Sequence, residues 1–269
     1  MGVPKKRLVV IGIDGLGYTN LMNFPGMWMP NLRRLCRENL CLKIDLDAAI
    51  SPRNWVRVFS GVDLKWYNLY IKLDRIENGV DKWRLITRDE LPVKFIWDLY
   101  PDLVVINAPV VIPPITKNSE FQPVGYGLPF TFFEWFKEIQ EVRKHTLKAI
   151  RNEQNVIAVF TVIDRMLHIT AKEDVVKRIA IELDEAVRII IEEARARGYA
   201  WIIVSDHGMK RTTQEVEGSV TPRHDMPWIR TVTKAIHDHS NDALYITNTG
   251  IGISRLEDVF SVMRRILGP

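Results

Sequence analysis

Three aspartates follow apolar runs of the chain, and two of them have a histidine nearby. The runs are residues 8–13 before Asp14, residues 156–163 before Asp164, and residues 200–204 before Ser205 and Asp206. Short apolar runs of this kind predict strands that are buried on both faces, as in a parallel sheet. Ligands of such sheets bind outside the carboxyl ends of the strands, so we expect the aspartates to face one site.

The two histidines predict the chemistry of that site. His207 directly follows Asp206, and His168 comes four residues after Asp164, which places the pair on one face if the chain is helical there. Carboxylate and imidazole groups suit a borderline divalent metal such as zinc. Two carboxylate–histidine pairs together with Asp14 predict a dinuclear metal site, whereas the Asp206–His207 pair alone is equally typical of a surface turn.

A serine offers a nucleophile. Ser51 is followed by Pro52, at the predicted end of a strand and before a short helix beginning near Arg53 or Asn54. The N-terminus of a helix favours anions, so a hydroxyl there suits attack on an anionic substrate. The alternative is that Ser51 merely caps the helix, as serines often do.

The elements that would position these residues alternate between strand and helix. Residues 7–13, a helix opening at Pro30 and residues 41–46 predict a β-α-β unit. Further expected strands are residues 103–107 and 243–247, and further helices are residues 95–100, 130–151 and 256–267. An amphipathic helix over residues 176–194 ends at Gly198. The glycines at 12, 15 and 17 do not match the dinucleotide fingerprint, so no nicotinamide or flavin site is expected.

Composition predicts an ordinary globular protein. With 269 residues and 46% hydrophobic composition, we expect a single catalytic domain over residues 1–269 with a small cap or insertion within residues 63–130. No bilayer span or signal peptide is recognised, so a cytoplasmic location and no membrane partner are expected. Cys36 and Cys41 are expected to be reduced packing residues. The charge of +4 is spread along the chain, which favours an anionic substrate without predicting a stable nucleic-acid partner.

Taken together, the motifs resemble the alkaline phosphatase superfamily, specifically its type I phosphodiesterase and nucleotide pyrophosphatase branch. The resembling segments are Asp14–Gly15, residues 51–61, 107–114, 161–168 and 205–209. The resemblance implies an alkaline phosphatase-like three-layer α/β/α fold with a mostly parallel central sheet.

The resemblance also implies two divalent ions, most often Zn²⁺, with Mn²⁺ or Mg²⁺ as alternatives. One ion would be held by Asp14, Ser51, Asp206 and His207, and the other by Asp164, His168 and a third histidine. His224 is the expected third histidine because a proline and an apolar run follow it, and His237 and His239 are the alternatives.

The implied mechanism is attack by Ser51 on phosphorus to give a phosphoserine, which water then hydrolyses. Asn54 matches an asparagine that donates a hydrogen bond to a phosphoryl oxygen in nucleotide pyrophosphatases. Two residues depart from the pattern: Ser51 stands where many relatives have threonine, and Arg53 replaces a residue that is usually apolar. Arg53 would either bind a substrate phosphate or face solvent.

The function expected on these grounds is that of a metal-dependent phosphodiesterase or nucleotide pyrophosphatase-like hydrolase with a small phosphorylated or nucleotide-type substrate. The alternatives are a phosphomonoesterase, phosphonate hydrolase or phosphomutase of the same superfamily, or a non-catalytic metal-binding relative. A sulfatase is disfavoured because Ser51-Pro52-Arg53 does not fit the sulfatase motif. The sequence predicts neither the particular substrate nor the oligomeric state.

Overall fold

The computed structural model describes residues 7–65, 71–77, 79–85, 90–109, 121–122, 131–212, 219–222, 230–234 and 236–269. The helices in these ranges are α1 (Tyr18–Asn23), α2 (Pro30–Glu38), α3 (Ser51–Ser60), α4 (Ile96–Leu99), α5 (Phe132–Arg151), α6 (Val162–Ile169), α7 (Glu173–Ala196) and α8 (Asp258–Leu267). The strands are β1 (Leu8–Ile13), β2 (Leu40–Asp45), β3 (Ile71–Glu77), β4 (Val80–Leu85), β5 (Val104–Ile106), β6 (Phe121–Gln122), β7 (Val156–Phe160), β8 (Ala200–Val204), β9 (Gly208–Arg211), β10 (Ser219–Pro222), β11 (Arg230–Lys234), β12 (His237–Ser240) and β13 (Asp242–Thr247).

A seven-stranded sheet in the order β2-β13-β8-β1-β7-β5-β6 forms the centre of the fold. Strands β8, β1, β7, β5 and β6 pair in parallel, and β13 runs antiparallel to both β8 and β2. The predicted mostly parallel sheet is therefore confirmed. Strand β2 lies at the edge, so the predicted β-α-β unit is completed with β8 and β13 between its two strands.

Helices cover both faces of the sheet. Alternate residues of β1 point to opposite sides: Val9 and Ile11 join a core cluster with α2, α5, α6 and α7, whereas Leu8 and Val10 join a second cluster with α3, α4 and α8. The expected three-layer α/β/α architecture is confirmed, and β1 lies near its middle with its carboxyl end pointing to the Asp14 region.

The predicted carboxyl end of the strand before Asp164 is wrong. Strand β7 stops at Phe160, and Asp164 lies in the first turn of α6 instead of closing a strand. Val162 and Ile163 are fully buried, so they pack in the core from a helix. An apolar run alone does not distinguish a buried strand from a buried helical turn, which explains the error.

The prediction of reduced cysteines is also wrong. Cys36 in the last turn of α2 and Cys41 in β2 form a disulfide, with their Cα atoms 4.9 Å apart. The helix ends at Glu38 and the chain reverses into β2 within two residues, so the two side chains meet. The spacing of five residues carried no such signal at the sequence level.

Two-stranded antiparallel sheets form outside the central sheet. Strands β3 and β4 pair antiparallel inside the expected cap segment, and β9 pairs antiparallel with β12. Residues 210–221 were expected to be loop-like, but β9 and β10 occupy part of them. No helix among the described residues combines the length and apolar character that a bilayer span requires.

Candidate active site

Backbone hydrogen bonds join the carboxyl end of β1 to the start of α6. The Asp14 amide donates to the Phe160 carbonyl (2.9 Å), and the Asp164 amide donates to the Asp14 carbonyl (3.1 Å). Two of the predicted site aspartates are thus held side by side by the main chain. Both residues are buried, with at most 1% of their surface exposed.

Gly15 allows the two segments to approach this closely. Its φ is +77°, and a Cβ at this position would lie 2.8 Å from Asp164 Cα. The Gly15 amide donates to Asp206 Oδ1 (3.3 Å), which brings the end of β8 into the same cluster. A residue with a side chain would meet both steric strain at the backbone and a clash with α6.

His207 lies at the centre of the three carboxylates. Its Nε2 atom is 3.2 Å from Asp206 Oδ2, 3.4 Å from Asp14 Oδ1 and 3.8 Å from Asp164 Oδ1. The imidazole is completely buried. Asp14, Asp206 and His207 have the spacing of a metal-binding group.

A second group forms around Asp164. The Nε2 atoms of His168 and His239 each lie 3.2 Å from Asp164 Oδ1. His239 reaches this position because β12 pairs with β9, which directly follows His207, and places His239 opposite Met209. The rings of His207 and His239 stack with centroids 3.8 Å apart. Asp164, His207 and His239 also have the spacing of a metal-binding group.

Four buried atoms of this cluster have no hydrogen-bond partner: Asp14 Oδ1, Asp164 Oδ1, Asp206 Oδ2 and His207 Nε2. Since buried polar atoms are rarely left unpaired, such a concentration needs a physical explanation. These four atoms face one another across the short distances given above. A cation between them would therefore give all four an interaction partner.

The histidines are oriented for metal binding. The Nδ1 atoms of His168, His207 and His239 lie 2.8–2.9 Å from the backbone carbonyl oxygens of His237, Gly208 and Ala49. A carbonyl oxygen only accepts, so each Nδ1 carries the proton and donates it. Each Nε2 atom then presents its lone pair to the cluster, as in histidine ligands of metals, whose other ring nitrogen donates to a carbonyl or carboxylate.

The other oxygen of each carboxylate faces a donor outside the cluster. Asp14 Oδ2 accepts from the Trp55 indole (3.2 Å) and lies 3.4 Å from Ser51 Oγ, which donates to it. Asp164 Oδ2 lies 3.5 Å from Arg165 Nε. The Gly15 amide donates to Asp206 Oδ1, so Asp14 and Asp206 each have one oxygen held by a hydrogen bond, whereas Asp164 has an ion-pair contact with Arg165; the remaining oxygen of each carboxylate faces the cluster.

The pKa values reflect the crowding of negative charge. Burial, and then repulsion from Asp164, raises the pKa of Asp14 to about 7. Burial and the charge of Asp14 raise the pKa of Asp206 well above its usual range. Burial opposes ionisation of Asp164 too, but the charge of Arg165 and the proximity of the His168 and His239 rings outweigh it and hold the pKa of Asp164 well below its usual range. Burial lowers the pKa of His207 to about 4, so this imidazole is neutral at pH 7.

Ser51 occupies the first position of α3 and not its cap. The N-cap is Ile50, and no side chain caps the helix. The predicted helix start near Arg53 or Asn54 is therefore two to three residues late, and the capping alternative for Ser51 is wrong. The hydroxyl instead contacts Asp14, which joins the nucleophile candidate to the carboxylate cluster.

Arg53 does not face solvent. Its paired donors contact carboxylates and do not face an open anion site. Its Nε and Nη2 atoms donate to both oxygens of Asp63 (2.6 and 2.7 Å), and Nη2 also donates to Asp47 (2.6 Å). The residue is only 6% exposed, so the expectation that it faces solvent is wrong. The structure makes it a buried ion pair that fixes the loop after α3.

The side chain of Asn54 connects α3 to the β8 segment. Its amide nitrogen donates to the carbonyl oxygens of Ala48 (3.0 Å) and Asp206 (2.9 Å), and its Oδ1 accepts from Arg57 Nη1 (3.1 Å). Both amide hydrogens are thus engaged by the main chain. The predicted hydrogen bond from Asn54 to a phosphoryl oxygen stays a prediction that would require one of these bonds to be exchanged.

The structure brings together six predicted ligand residues: Asp14, Ser51, Asp164, His168, Asp206 and His207. His224 lies outside the described residues. Of the two alternatives for the third histidine, His239 turns its Nε2 into the cluster, whereas His237 bonds through Nδ1 to the Leu167 carbonyl and accepts from His168 at its own carbonyl. The sequence signal for His239 was the pair His237 and His239 at alternate positions of a short segment, because a strand places alternate residues on one face.

The chain belongs to the type I phosphodiesterase/nucleotide pyrophosphatase family, whose family model matches residues 93–266. This is a family of phosphoester hydrolases. The match includes Asp164, His168, Asp206, His207 and His239. Asp14 and Ser51 precede the matched residues and reach the site through β1 and α3.

Solved structures share the fold over nearly the whole chain. An inactive variant of murine ectonucleotide pyrophosphatase/phosphodiesterase 5 in complex with AMP is 10% identical with a TM-score of 0.68, covering 97% of this chain and 95% of that one. Phosphonoacetate hydrolase from Sinorhizobium meliloti in complex with phosphonoformate is 11% identical with a TM-score of 0.66, covering 96% and 95%. A TAB5 alkaline phosphatase variant with bound Mg is 13% identical with a TM-score of 0.59, covering 98% of each chain. No curated protein sequence matches the chain.

Proposed function

We propose that this protein is a metal-dependent hydrolase that cleaves phosphodiester or pyrophosphate bonds of small nucleotide-type substrates, with Ser51 as its nucleophile. The observation that carries the proposal is the set of four unpaired buried atoms on Asp14, Asp164, Asp206 and His207, which face one another in the cluster. Family membership supports phosphoester hydrolysis as the reaction class.

The donor set fits two divalent ions. Asp14, Asp206, His207 and the Ser51 hydroxyl would hold one ion, and Asp164, His168 and His239 would hold the other. Two imidazole nitrogens and one carboxylate oxygen form a three-residue set typical of catalytic zinc, which leaves a coordination position open. Zinc is therefore the metal that we propose, at least for the site around Asp164.

Bound divalent ions lower the pKa of a coordinated hydroxyl or water and neutralise charge on a phosphoryl group. Ser51 lies at the first position of α3, where the positive end of the helix dipole favours an anionic substrate. Its hydroxyl donates to Asp14 Oδ2 (3.4 Å), so the hydroxyl proton is engaged by a carboxylate and a lone pair of Oγ is free to attack phosphorus.

The reaction then follows from these positions. Ser51 Oγ bonds to phosphorus while the bond from phosphorus to the leaving oxygen breaks, giving a phosphoryl-serine ester that keeps the remaining substituent of the substrate. The proton that Ser51 loses is balanced by the proton that the leaving oxygen takes up. Water forms the next bond to phosphorus as the bond to Ser51 Oγ breaks, which restores the hydroxyl. Covalent catalysis of this kind divides one difficult displacement into two easier ones.

Metal analysis and turnover test the proposal together. We expect two equivalents of divalent metal, with hydrolysis of bis-p-nitrophenyl phosphate that a chelator abolishes and zinc or manganese restores. Preference for p-nitrophenyl phosphate would instead favour a phosphomonoesterase, and release of phosphate from a phosphonate would favour a phosphonate hydrolase. Absence of bound metal would refute the proposal.

Substitutions within α3 test the nucleophile. Ser51→Ala should lower turnover by at least about 1000-fold, as loss of a serine nucleophile does in hydrolases, while metal content is largely retained. Ser51→Thr should keep measurable turnover because it supplies a hydroxyl. Ser60→Ala is the matched control, because Ser60 is a buried serine at the other end of the same helix that bonds only its own turn and the following chain. Undiminished turnover by Ser51→Ala would remove Ser51 from the mechanism.

A further inference from the structure

The Trp55 side chain lies directly behind the candidate metal ligand Asp14. Its indole Nε1 donates to Asp14 Oδ2 across 3.2 Å, and the whole residue is inaccessible to solvent. The other oxygen, Asp14 Oδ1, is one of the unpaired buried atoms of the cluster and faces His207 Nε2 at 3.4 Å. The indole therefore engages Oδ2, which also accepts from Ser51 Oγ, while Oδ1 faces His207 without a hydrogen-bond partner.

The surrounding core holds the indole rigidly. The ring stacks on Phe59 with centroids 5.3 Å apart and planes 10° from parallel. On its far side the ring lies against Gly12 in β1, where a Cβ would be only 2.7 Å from Trp55 Cη2. Neither the ring nor the strand has room to shift, so the position of the N–H is fixed relative to Asp14.

Two other buried tryptophans of the described residues, Trp97 and Trp201, differ from Trp55 in one respect. The Nε1 atoms of Trp97 and Trp201 have no hydrogen-bond partner, whereas Trp55 donates its indole N–H to a carboxylate. A hydrogen bond to a charged group contributes more than one between neutral groups. The contact at Trp55 is thus selective and not a general property of buried indoles in this core.

We propose that Trp55 is a positioning residue that fixes Asp14 for one of the two metal ions, by occupying Oδ2 and leaving Oδ1 as the single metal-facing oxygen. This inference rests on the proposed two-metal site. Outer-shell donors of this kind orient a ligand and set its affinity for the metal. The indole is neutral, so it orients the carboxylate without cancelling the negative charge that attracts the cation.

The consequence is specific to one ion. Trp55 contacts Asp14, which belongs with Asp206 and His207, and no described contact joins it to His168 or His239. Loss of the indole N–H should weaken the ion at Asp14 by about 10- to 100-fold and leave the ion at Asp164 unchanged. A merely structural role would weaken both ions or neither.

Trp55→Phe and Trp97→Phe form a matched pair for the test. Both tryptophans are buried in the same core cluster and stack on a phenylalanine, since Trp97 lies 4.8 Å from Phe95 with planes 12° apart. Both substitutions remove the same atoms, but only the first removes a hydrogen bond to a metal ligand. Thermal unfolding of the metal-free variants measures the common packing loss and confirms that each variant folds.

Zinc titration against a competing chelator is the measurement, because it does not depend on turnover. We expect Trp55→Phe to weaken one of two binding steps while Trp97→Phe binds like wild type. In an Asp14→Asn background, Trp55→Phe should have no additional effect on that step, since coupled residues are not additive. Equal zinc affinities for Trp55→Phe, Trp97→Phe and wild type would overturn the role of Trp55 while the two-metal site stands. Failure of wild type to bind zinc or manganese would overturn both.

A measurement on the wild-type protein keeps the test independent of whether Trp55→Phe folds. The chain has eight tryptophans, so indole ¹H–¹⁵N resonances are few enough to follow individually. We expect the indole proton of Trp55, the indole nearest the site, to shift during one step of a zinc titration. The indole resonance of Trp97, which is assigned by its loss in Trp97→Phe, should stay in place. Zinc binding without a shift of any indole resonance would contradict the proposal.

Discussion

His168 and His239 direct their Nε2 atoms at each other across 3.0 Å. Both rings already use Nδ1 to donate to a backbone carbonyl, His168 to His237 and His239 to Ala49. Two lone pairs would then oppose each other, beside the oxygen of Asp164 that lies 3.2 Å from both. A shared cation removes this repulsion, which makes His239 the third histidine ligand that we propose.

Substitution of the histidines one at a time tests this choice. His239→Ala should reduce bound metal from two equivalents to one and lower diester hydrolysis by at least about 100-fold, in line with the loss of a metal ligand or its support. His237→Ala is the matched control two residues away in β12, because the His237 carbonyl that accepts from His168 belongs to the main chain and is retained. Metal content by elemental analysis decides between them.

The same measurement on His224→Ala addresses the histidine predicted from the sequence. If His239 completes the site, His224→Ala should retain both ions. Loss of one ion in His224→Ala, with full metal content in His239→Ala, would reverse the assignment and restore the original prediction.

The strands, the helices on both faces and the residues of the cluster followed from local patterns. Asp14, Asp206 and His207 come at or just after the ends of apolar runs, and Asp164 and His168 share one face of α6. These relationships depend on neighbours in sequence, so periodicity and strand-end placement were sufficient to predict them.

The parts that the sequence did not predict depend on distant pairings. His239 reaches the site only because β12 pairs with β9, and Trp55 meets Asp14 only because α3 packs on β1. Arg53 was expected to face solvent or to bind a substrate phosphate. Its partners Asp47 and Asp63 flank the helix in sequence and contact Arg53 only in the folded chain. No one-dimensional pattern specifies such contacts.

Metal removal should destabilise the protein. Ions bound at about 100 times their dissociation constant stabilise the folded state by about 2.7 kcal/mol each, so a chelator should lower the melting temperature clearly. The cause is the cluster itself, where burial and Asp164 raise the pKa of Asp14 to about 7 once no cation balances the charge.

Chelation should lower the melting temperature of Asp14→Asn less than that of wild type. The metal-free variant should also be more stable than metal-free wild type, because it lacks one of the carboxylates that repel one another. Asp184→Asn is the control: Asp184 is a buried aspartate that accepts from the Asn31 and Leu32 amides at the start of α2, far from the cluster in its contacts. It should lose stability equally with and without metal. A chelator that leaves the wild-type melting temperature unchanged would contradict this prediction, whose measurement is thermal unfolding of the three proteins.

Asn54→Ala distinguishes a structural role from a substrate-binding one. The substitution removes hydrogen bonds to Ala48, Asp206 and Arg57. Arg57 Nη1 keeps its bond to Asp47, but the carbonyls of Ala48 and Asp206 lose this donor, at about 1–3 kcal/mol for each unsatisfied group. We expect the free energy of unfolding to fall by several kcal/mol, on the order of two such groups. Denaturant unfolding measures this effect directly. If stability is retained while KM for the diester rises, Asn54 acts on the substrate as the sequence predicted.

Glu138 should make stability depend on pH through the support of α6. This residue of α5 is 1% exposed, and its carboxyl group accepts hydrogen bonds from the amide and the hydroxyl of Thr161, the N-cap of the helix that carries Asp164 and His168. Burial raises its pKa from 4.5 to about 7. Between these values the folded protein keeps a proton that the unfolded chain has lost.

Stability from Glu138 is therefore fully present below about pH 4.5 and decreases as the pH rises to about 7. A shift of this size corresponds to about 3 kcal/mol in the free energy of unfolding. Glu138→Gln retains an acceptor for the Thr161 amide and has no charge to lose, so the difference in stability between wild type and variant should change by that amount across the window. Denaturant unfolding of both proteins at several pH values measures it. A difference that stays constant with pH would show that Glu138 is ionised in the folded protein and that Arg165 or Thr161 offsets its burial.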